Sequence, residues 1–466
     1  MLNKIEIRNF KTLRNQTIDL APLTIFVGPN GAGKSSILES IALMAQAAEI
    51  NNIFPNALKG ELVDFERPDD VITKGAENLR LFLGFQIDAD VDLLLYSLNE
   101  DLKALDGFLS RNPIVEMPEI EKIQKNRLTD LPRFRERLLS TKEILISSKR
   151  KEAPIRFRFV SNIKSTYSSH TLWVASKQLV KVTQGTTTQA YSTGELRAEN
   201  WLQFLPNLYF DQFQSRLLKL IHELLKNSLQ KVRYLLADRG SIPWVYNPDT
   251  STKFQWVGRK GQNTLEILAD LISPKYHEAK LPYELFFEKF GMKEVWAGWM
   301  FPNSLTSGYV DPFFNSVHKL PSLGYGSKQL LTVIVQLAHA SKGSIILVEE
   351  PEVSLHPAYQ SLLPALFGKA VLEGKQVIVT SHSSYFPLSL DSIFKGYVLE
   401  GQTTGGQQKY TIKISPKEVA VYHVSRIAEG PSKIDKLEID ENGLKEGIPS
   451  FIEVERQILS RFIKQG

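Results

Sequence analysis

The chain has 466 residues, 42% of them hydrophobic, and no cysteine. That is enough apolar material for a large core spread over two or three domains, and it excludes disulfides, thiol nucleophiles and cysteine-held metals. A net charge of +5 makes the chain mildly basic, which is weak support for a nucleic-acid partner.

The first residues, Met1-Leu2-Asn3-Lys4-Ile5-Glu6-Ile7-Arg8, alternate in the period of a strand and lack an apolar signal core. No apolar run is long enough to span a bilayer, so no membrane segment is expected and the chain is placed in the cytoplasm. Leu23 to Val27 form a short apolar strand, with Pro22 just ahead of it. The strand runs into Gly28-Pro29-Asn30-Gly31-Ala32-Gly33-Lys34-Ser35, a full match to the phosphate-loop pattern. In such a loop glycines let the chain curl, so that backbone N–H groups and the dipole of the next helix point at phosphates. Asn30, Gly31, Ala32, Gly33, Lys34, Ser35 and Ser36 are the expected nucleotide contacts. Lys34 would reach the β- and γ-phosphates, and the Ser35 hydroxyl would sit on Mg²⁺. A helix follows, with apolar positions at 37, 38, 41 and 44.

The middle of the chain is less specific. Asn78 to Ile87, Ile155 to Val160, Leu172 to Val174 and Leu179 to Val182 have strand patterns, read together as an antiparallel sheet flanking the nucleotide. Residues 98–150 are polar and helical in pattern, broken by Pro113, Pro118 and Pro132. Overlapping them, Glu121 to Glu152 hold ten Lys/Arg against five Asp/Glu. That is either a solvated helix face or a surface facing nucleic acid. Phe210 to Val232 reads as an amphipathic helix leading into Arg233-Tyr234-Leu235-Leu236-Ala237. Tyr283 to Phe314 is rich in aromatics, including Phe286, Phe287, Phe290, Trp299, Phe313 and Phe314. These serve either core or subunit packing, or base stacking.

Near the C-terminal end, Leu323-Gly324-Tyr325-Gly326-Ser327-Lys328-Gln329 precedes a helix over Leu330 to Ala340, with Ser327 expected as its N-cap. Glycine amides at a helix start make an anion site. Ile345 to Val348 form an apolar strand ending in Glu349-Glu350. Glu349 is expected to hold Mg²⁺ through water, and Glu350 to orient or deprotonate an attacking water. Val377 to Thr380 form another strand, and His382 just beyond it is expected to contact the γ-phosphate and report its presence. Residues 1–50 and 321–466 must meet to make one site. They are read as a discontinuous ATPase domain, with 51–320 inserted as a β lobe and a helical region.

With these segments in place, the chain resembles the ABC-type ATPase heads of the SMC, RecF and OLD group. Ile5-Glu6-Ile7-Arg8-Asn9-Phe10-Lys11 looks like that group's first strand. Glu349-Glu350-Pro351-Glu352 with Leu355-His356-Pro357 is similar to its Walker B and D-loop, and Thr380-Ser381-His382-Ser383 to its switch histidine. The resemblance covers the two ends and is weak across the middle. It implies an α/β fold, an ABC-type P-loop head with an antiparallel β lobe and a largely helical insertion. It also implies ATP and Mg²⁺ as cofactors, and a homodimer or higher homo-oligomer in which two copies sandwich two ATP molecules. Gly324, Gly326 and Ser327 would then face the γ-phosphate held by the other copy. Stand-alone members resemble the ATPase half of anti-phage systems of the Septu, Gabija or PARIS kind, which implies a separate nuclease or other effector, and DNA or RNA, as partners.

Departures sharpen the expectation. The LSGGQ-type element has no Ser between Leu323 and Gly326, and the 84 residues after His382 hold no evident Toprim set. Asp88-Ala89-Asp90 lies inside the insertion, so the head is not expected to be a nuclease itself. A DNA-repair ATPase of the RecF kind and an ATP-stabilised sensing scaffold stay open as alternatives. Tyr234 to Arg239 and Val257 to Gly261 look like family landmarks without an assigned role.

Overall fold

A computed structural model describes residues 1–50, 58–66, 70–74, 80–87, 155–164, 167–175, 196–198, 229–240, 242–244, 254–272, 277–301, 304–403, 406–426 and 430–463. The strand expected at Leu179 to Val182, the polar segment 98–150 with the charged stretch from Glu121 to Glu152, Asp88-Ala89-Asp90 and most of the helix expected at Phe210 to Val232 lie outside the described residues. By compactness the chain falls into two units: Ile7–Leu79 with Ser228–Gly466 and Met1, and Leu2–Glu6 with Arg80–Asn227.

The first elements are β1 (Leu2–Phe10), β2 (Leu13–Asp19), β3 (Leu23–Val27) and α1 (Lys34–Ile50). In the second unit, β4 (Arg80–Ile87), β5 (Ile155–Lys164), β6 (Tyr167–Ala175) and β7 (Leu196–Ala198) pair antiparallel in that order. The expected antiparallel lobe is therefore present, built from the strand patterns at 78–87, 155–160 and 172–174.

The larger unit continues with β8 (Val232–Leu235), α2 (Thr264–Ile272), α3 (His277–Lys289), and a meander of β9 (Lys293–Phe301), β10 (Ser304–Val310) and β11 (Val317–Lys319). Then come α4 (Tyr325–His339), β12 (Ile345–Glu349), α5 (Pro357–Gln360), α6 (Leu363–Leu372), β13 (Gln376–Ser381), α7 (Tyr385–Leu388) and α8 (Asp391–Lys395). A β14 (Tyr397–Thr403) and β15 (Gly406–Ile412) hairpin, β16 (Val419–Arg426), β17 (Ser432–Leu437) and α9 (Pro449–Ile463) complete the principal elements.

The site is positioned by one six-stranded sheet, in the order β17-β16-β3-β13-β12-β8. All its neighbouring pairs are parallel except β16 with the edge strand β17. The sequence explains why. Every residue of β3, β12 and β13 is buried, as near-continuous apolar strands are when both faces are covered. Ile37, Leu38 and Ile41 of α1 and Leu330, Ile334 and Leu337 of α4 are fully buried among the core side chains. Register then aligns the strand ends. Val27 lies beside Ser381 and His423, Glu349 beside Thr380, and Val348 beside Leu235. The phosphate loop, the paired glutamates and His382 therefore leave the sheet at its carboxyl edge, the usual ligand crevice of a parallel α/β sheet. This sheet also takes β8 from within 51–320.

The aromatic stretch divides. Phe286, Phe287 and Phe290 are buried, with Phe290 edge-on to Tyr359, as packing requires. Phe313 and Phe314 are open, at 85% and 82% exposure. Among the described residues, no helix is long and apolar enough to cross a membrane.

Candidate active site

The turn from β3 into α1 is shaped by close approach. A Cβ on Gly28 would sit 2.0 Å from the Val424 carbonyl oxygen of the neighbouring strand β16. Gly33 has φ +102°, in the region that favours glycine, and a Cβ there would meet Ser432 Oγ at 2.3 Å and Thr12 Oγ1 at 2.5 Å. Gly31 is also left-handed, at φ +72°. The loop leaves Asn30, Gly31 and Ser35 exposed, half-buries Gly33, and buries Ala32, Lys34 and Ser36. The helix begins at Lys34, three residues before Ile37, the first position of the apolar pattern.

Lys34 donates from Nζ to the carbonyls of Gly28 and Pro29, both at 2.9 Å. Burial pulls its pKa down to about 8, against the opposing pull of Glu350, Glu352 and Glu349. The same amine lies 3.0 Å from His382 Nε2, which is itself 3.0 Å from Glu350 Oε1. With its proton on Nε2 the ring donates to the carboxylate, and Nδ1, 3.4 Å from the same amine, is then the nitrogen that can accept from the lysine. The His382 bond is the main reason the Glu350 carboxyl lies below its ordinary range, with burial opposing. A carboxylate held ionised in this way suits the role of acceptor for a bound water.

Glu349 and Glu350 are consecutive but sit in different surroundings. Glu349 ends β12 and is buried. Its Oε1 accepts from the Tyr234 hydroxyl at 2.7 Å, and its Oε2 from the Ala237 N–H at 3.3 Å. Glu350 turns off the strand with φ +43°, a conformation that costs a non-glycine residue energy. Its N–H donates to the Thr380 carbonyl at 2.9 Å. Behind both, Glu352 is buried and accepts at Oε1 from Ser381 Oγ at 2.8 Å and from the His382 N–H. Burial pushes the Glu352 carboxyl up. Sequence reasoning gave Glu352 no role, and in the fold it anchors the backbone that carries His382.

The start of α4 corrects one expectation. The helix begins at Tyr325, five residues earlier than the apolar pattern suggests, and its N-cap is Gly324, with no side-chain cap bond. Ser327 stands in the first turn instead. Of the two glycines, Gly324 is exposed, with open space around its would-be Cβ. Gly326 is buried against the loop after Glu352, where a Cβ would lie 2.3 Å from the Ser354 carbonyl oxygen. A glycine is needed at that point of the first turn, because no side chain fits against that carbonyl.

Two further features had no role assigned from the sequence. Arg239 lies buried behind the glutamates. Beside the phosphate loop, a cavity of about 450 Å³ is lined by Lys11, Thr12, Arg14, Lys74 and Arg426, with Asp70. Among the described residues, no three His, Cys, Asp or Glu side chains gather as a metal cluster. The oxygens that Ser35 and Glu349 offer are the hard donors Mg²⁺ takes alongside phosphate and water.

A phosphate loop, an acidic strand end and a polar strand end at the carboxyl edge of one parallel sheet define a P-loop α/β ATPase. The chain belongs to the AAA ATPase domain family (AAA_15), which matches residues 1–386. Over 72 residues it is 38% identical to an OLD nuclease of Thermus scotoductus, covering 16% of this chain and 12% of that protein. Over 81 residues it is 37% identical to the Septu protein PtuA of Bacillus mycoides, covering 16% of this chain and 10% of the relative. The matched stretches thus span about a tenth of the length of these curated relatives. Among solved structures, an SMC head bound to the C-winged helix domain of ScpA aligns with TM-score 0.47 at 13% identity, covering 94% of this chain and 98% of that one. The SMC head domain from Thermotoga maritima aligns with TM-score 0.37 at 13% identity, covering 89% and 99%.

Proposed function

We propose that this ATPase is a switch. Two copies close around two ATP molecules and open on hydrolysis, and the change is passed to nucleic acid or to a separate effector such as a nuclease, in defence against phage. The observation that carries the reading is the convergence of Lys34, His382 and Glu350 within hydrogen-bond reach, with an uncapped, exposed helix start at Gly324 in the same unit. The local likeness to an OLD nuclease and to a Septu protein supports the defence context.

In this reading Lys34 turns from the Gly28 and Pro29 carbonyls to the β- and γ-phosphates. Ser35 and Glu349 hold Mg²⁺, which when bound neutralises phosphate charge. Glu350 orients the attacking water, and His382, released from its neighbours, touches the γ-phosphate. Gly324 and the first turn of α4, with Gly326 and Ser327, meet the γ-phosphate of the other copy. ATP then binds the closed state better than the open one, and that difference is the energy a switch can transmit.

The test is ATP turnover of wild type against Glu350→Gln, with mass measured in ATP, with and without DNA. The expected result is loss of turnover by about a hundredfold or more together with an ATP-locked larger assembly. Equal turnover in both proteins would remove Glu350 from the chemistry. An assembly that needs ATP but ignores the substitution would favour a scaffold.

A further inference from the structure

Arg239 is 2% exposed, yet its guanidinium bonds run to main-chain carbonyls. Nη1 donates to Leu236 at 2.6 Å and to Glu349 at 2.5 Å, Nη2 to Glu350 at 3.1 Å, and Nε to Gln329 at 3.3 Å. The last of these carbonyls belongs to α4, and the middle two to the paired glutamates. A second link runs the same way. The Gln329 Nε2 donates to the Ala237 carbonyl at 3.0 Å, and the Ala237 N–H donates to Glu349 Oε2. Gly240, at φ +86°, presses on the same helix, because a Cβ there would lie 2.7 Å from the Gln329 nitrogen and 2.8 Å from the Lys328 carbonyl carbon.

We propose that Arg239 is a positioning residue for hydrolysis, one that fixes the main chain of Glu349 and Glu350 to the first turns of α4 so that carboxylates and helix move as one body. The inference rests on the roles given above to Glu350 and to the start of α4. Burying a guanidinium is costly, and apolar packing of the same volume stabilises a core at least as well. What an arginine supplies here is a planar fork that reaches several carbonyls at once, which a lysine cannot reproduce. Those carbonyls belong to Glu349, to a strained residue, Glu350, and to a helix whose N-cap, Gly324, is exposed and carries no side-chain cap bond. A shift of α4 when two copies meet would thus be felt directly at the water-orienting carboxylate.

The test uses the full chain with Arg239→Lys and Arg239→Ala. Turnover, nucleotide affinity and thermal midpoint are measured for each, and Arg239→Ala is assayed with and without millimolar guanidinium. The expected result for Arg239→Lys is a kcat lower by about tenfold or more, with nucleotide affinity within about twofold of wild type. Arg239→Ala should lose more, and added guanidinium should return part of it. Should Arg239→Ala fail to fold, Arg239→Lys decides. Wild-type turnover in Arg239→Lys, or affinity falling in step with kcat, would overturn the proposal. Its failure is separable from failure of the underlying reading. An inactive Glu350→Gln beside an unaffected Arg239→Lys sinks only this inference, whereas an active Glu350→Gln sinks the reading beneath it.

Discussion

Gly324→Asp separates stability from function at the start of α4. Gly324 is the N-cap, with φ −57° and ψ 151°, values open to any residue, and no side chain caps the helix. Its would-be Cβ meets nothing within 4 Å. Aspartate is a preferred N-cap and places negative charge at the positive end of the helix dipole, which together stabilise by about 0.5–1 kcal/mol. The thermal midpoint should therefore rise by about 1–2 °C. The same carboxylate would stand where the γ-phosphate of the other copy is expected. Like charges about 4 Å apart repel by about 4 kcal/mol at an effective dielectric near 20. After discounting for the exposed position, about 3 kcal/mol remains, or a hundredfold loss of the closed state. The assay is differential scanning fluorimetry beside steady-state turnover and mass in ATP. A raised midpoint with turnover within about twofold of wild type would refute the reasoning, because the helix start would then not meet nucleotide.

Two other substitutions test the support of the site. Tyr234→Phe removes the hydroxyl that donates to Glu349 Oε1 at 2.7 Å from a position 1% exposed. Hydrogen bonds to charged groups contribute about 1.5–3 kcal/mol, so a fall of a few degrees in thermal midpoint is expected, with a severalfold rise in the Mg²⁺ needed for half-maximal turnover. Burial, with Glu349 beside it, raises the Tyr234 pKa well above its ordinary value. The protonated donor's contribution is thus fully present below the unfolded-state pKa near 10, and is lost only as pH rises through the higher folded value. The gap between the two proteins should be flat from about pH 7 to pH 9, and a gap that closes in that window would contradict the assignment. Gly28→Ala pushes a methyl into the Val424 carbonyl of β16. We expect a cost of about 1–3 kcal/mol and weakened ATP binding, read by denaturant melts and nucleotide titration. Unchanged affinity would show that the loop can move without penalty.

What the sequence made legible divides along physical lines. The strands at Leu23 to Val27, Ile345 to Val348 and Val377 to Thr380 were readable because a strand buried on both faces is an unbroken apolar run. β2 was missed because it buries only Leu13 and Ile18 among polar neighbours, which fits no strand period. The start of α4 was misplaced because Tyr325-Gly326-Ser327 is poor helix material, and the glycine is there because a Cβ would meet the Ser354 carbonyl. The positions of Lys34, Glu350 and His382 could be named from the motifs, but not their mutual hydrogen bonding, which depends on β13 lying between β3 and β12. Arg239 ended a segment that looked like a family landmark, but nothing in the sequence gave it a role. Its partners are main-chain carbonyls, most of them about a hundred residues further along the chain, and a backbone oxygen leaves no trace in a side-chain pattern.

The most direct test of the central claim, that each ATP site is completed by a second copy, is complementation between two inactive proteins. Lys34→Ala should lose ATP binding in its own copy, and Gly324→Asp should spoil only the surface offered to the other copy. Each is expected to be inactive alone. In an equimolar mixture, half the dimers should be mixed, each with one intact site of two, so turnover should recover to about a quarter of wild type. A mixture that stays as inactive as its parts, with subunit exchange verified by mass, would contradict the composite site.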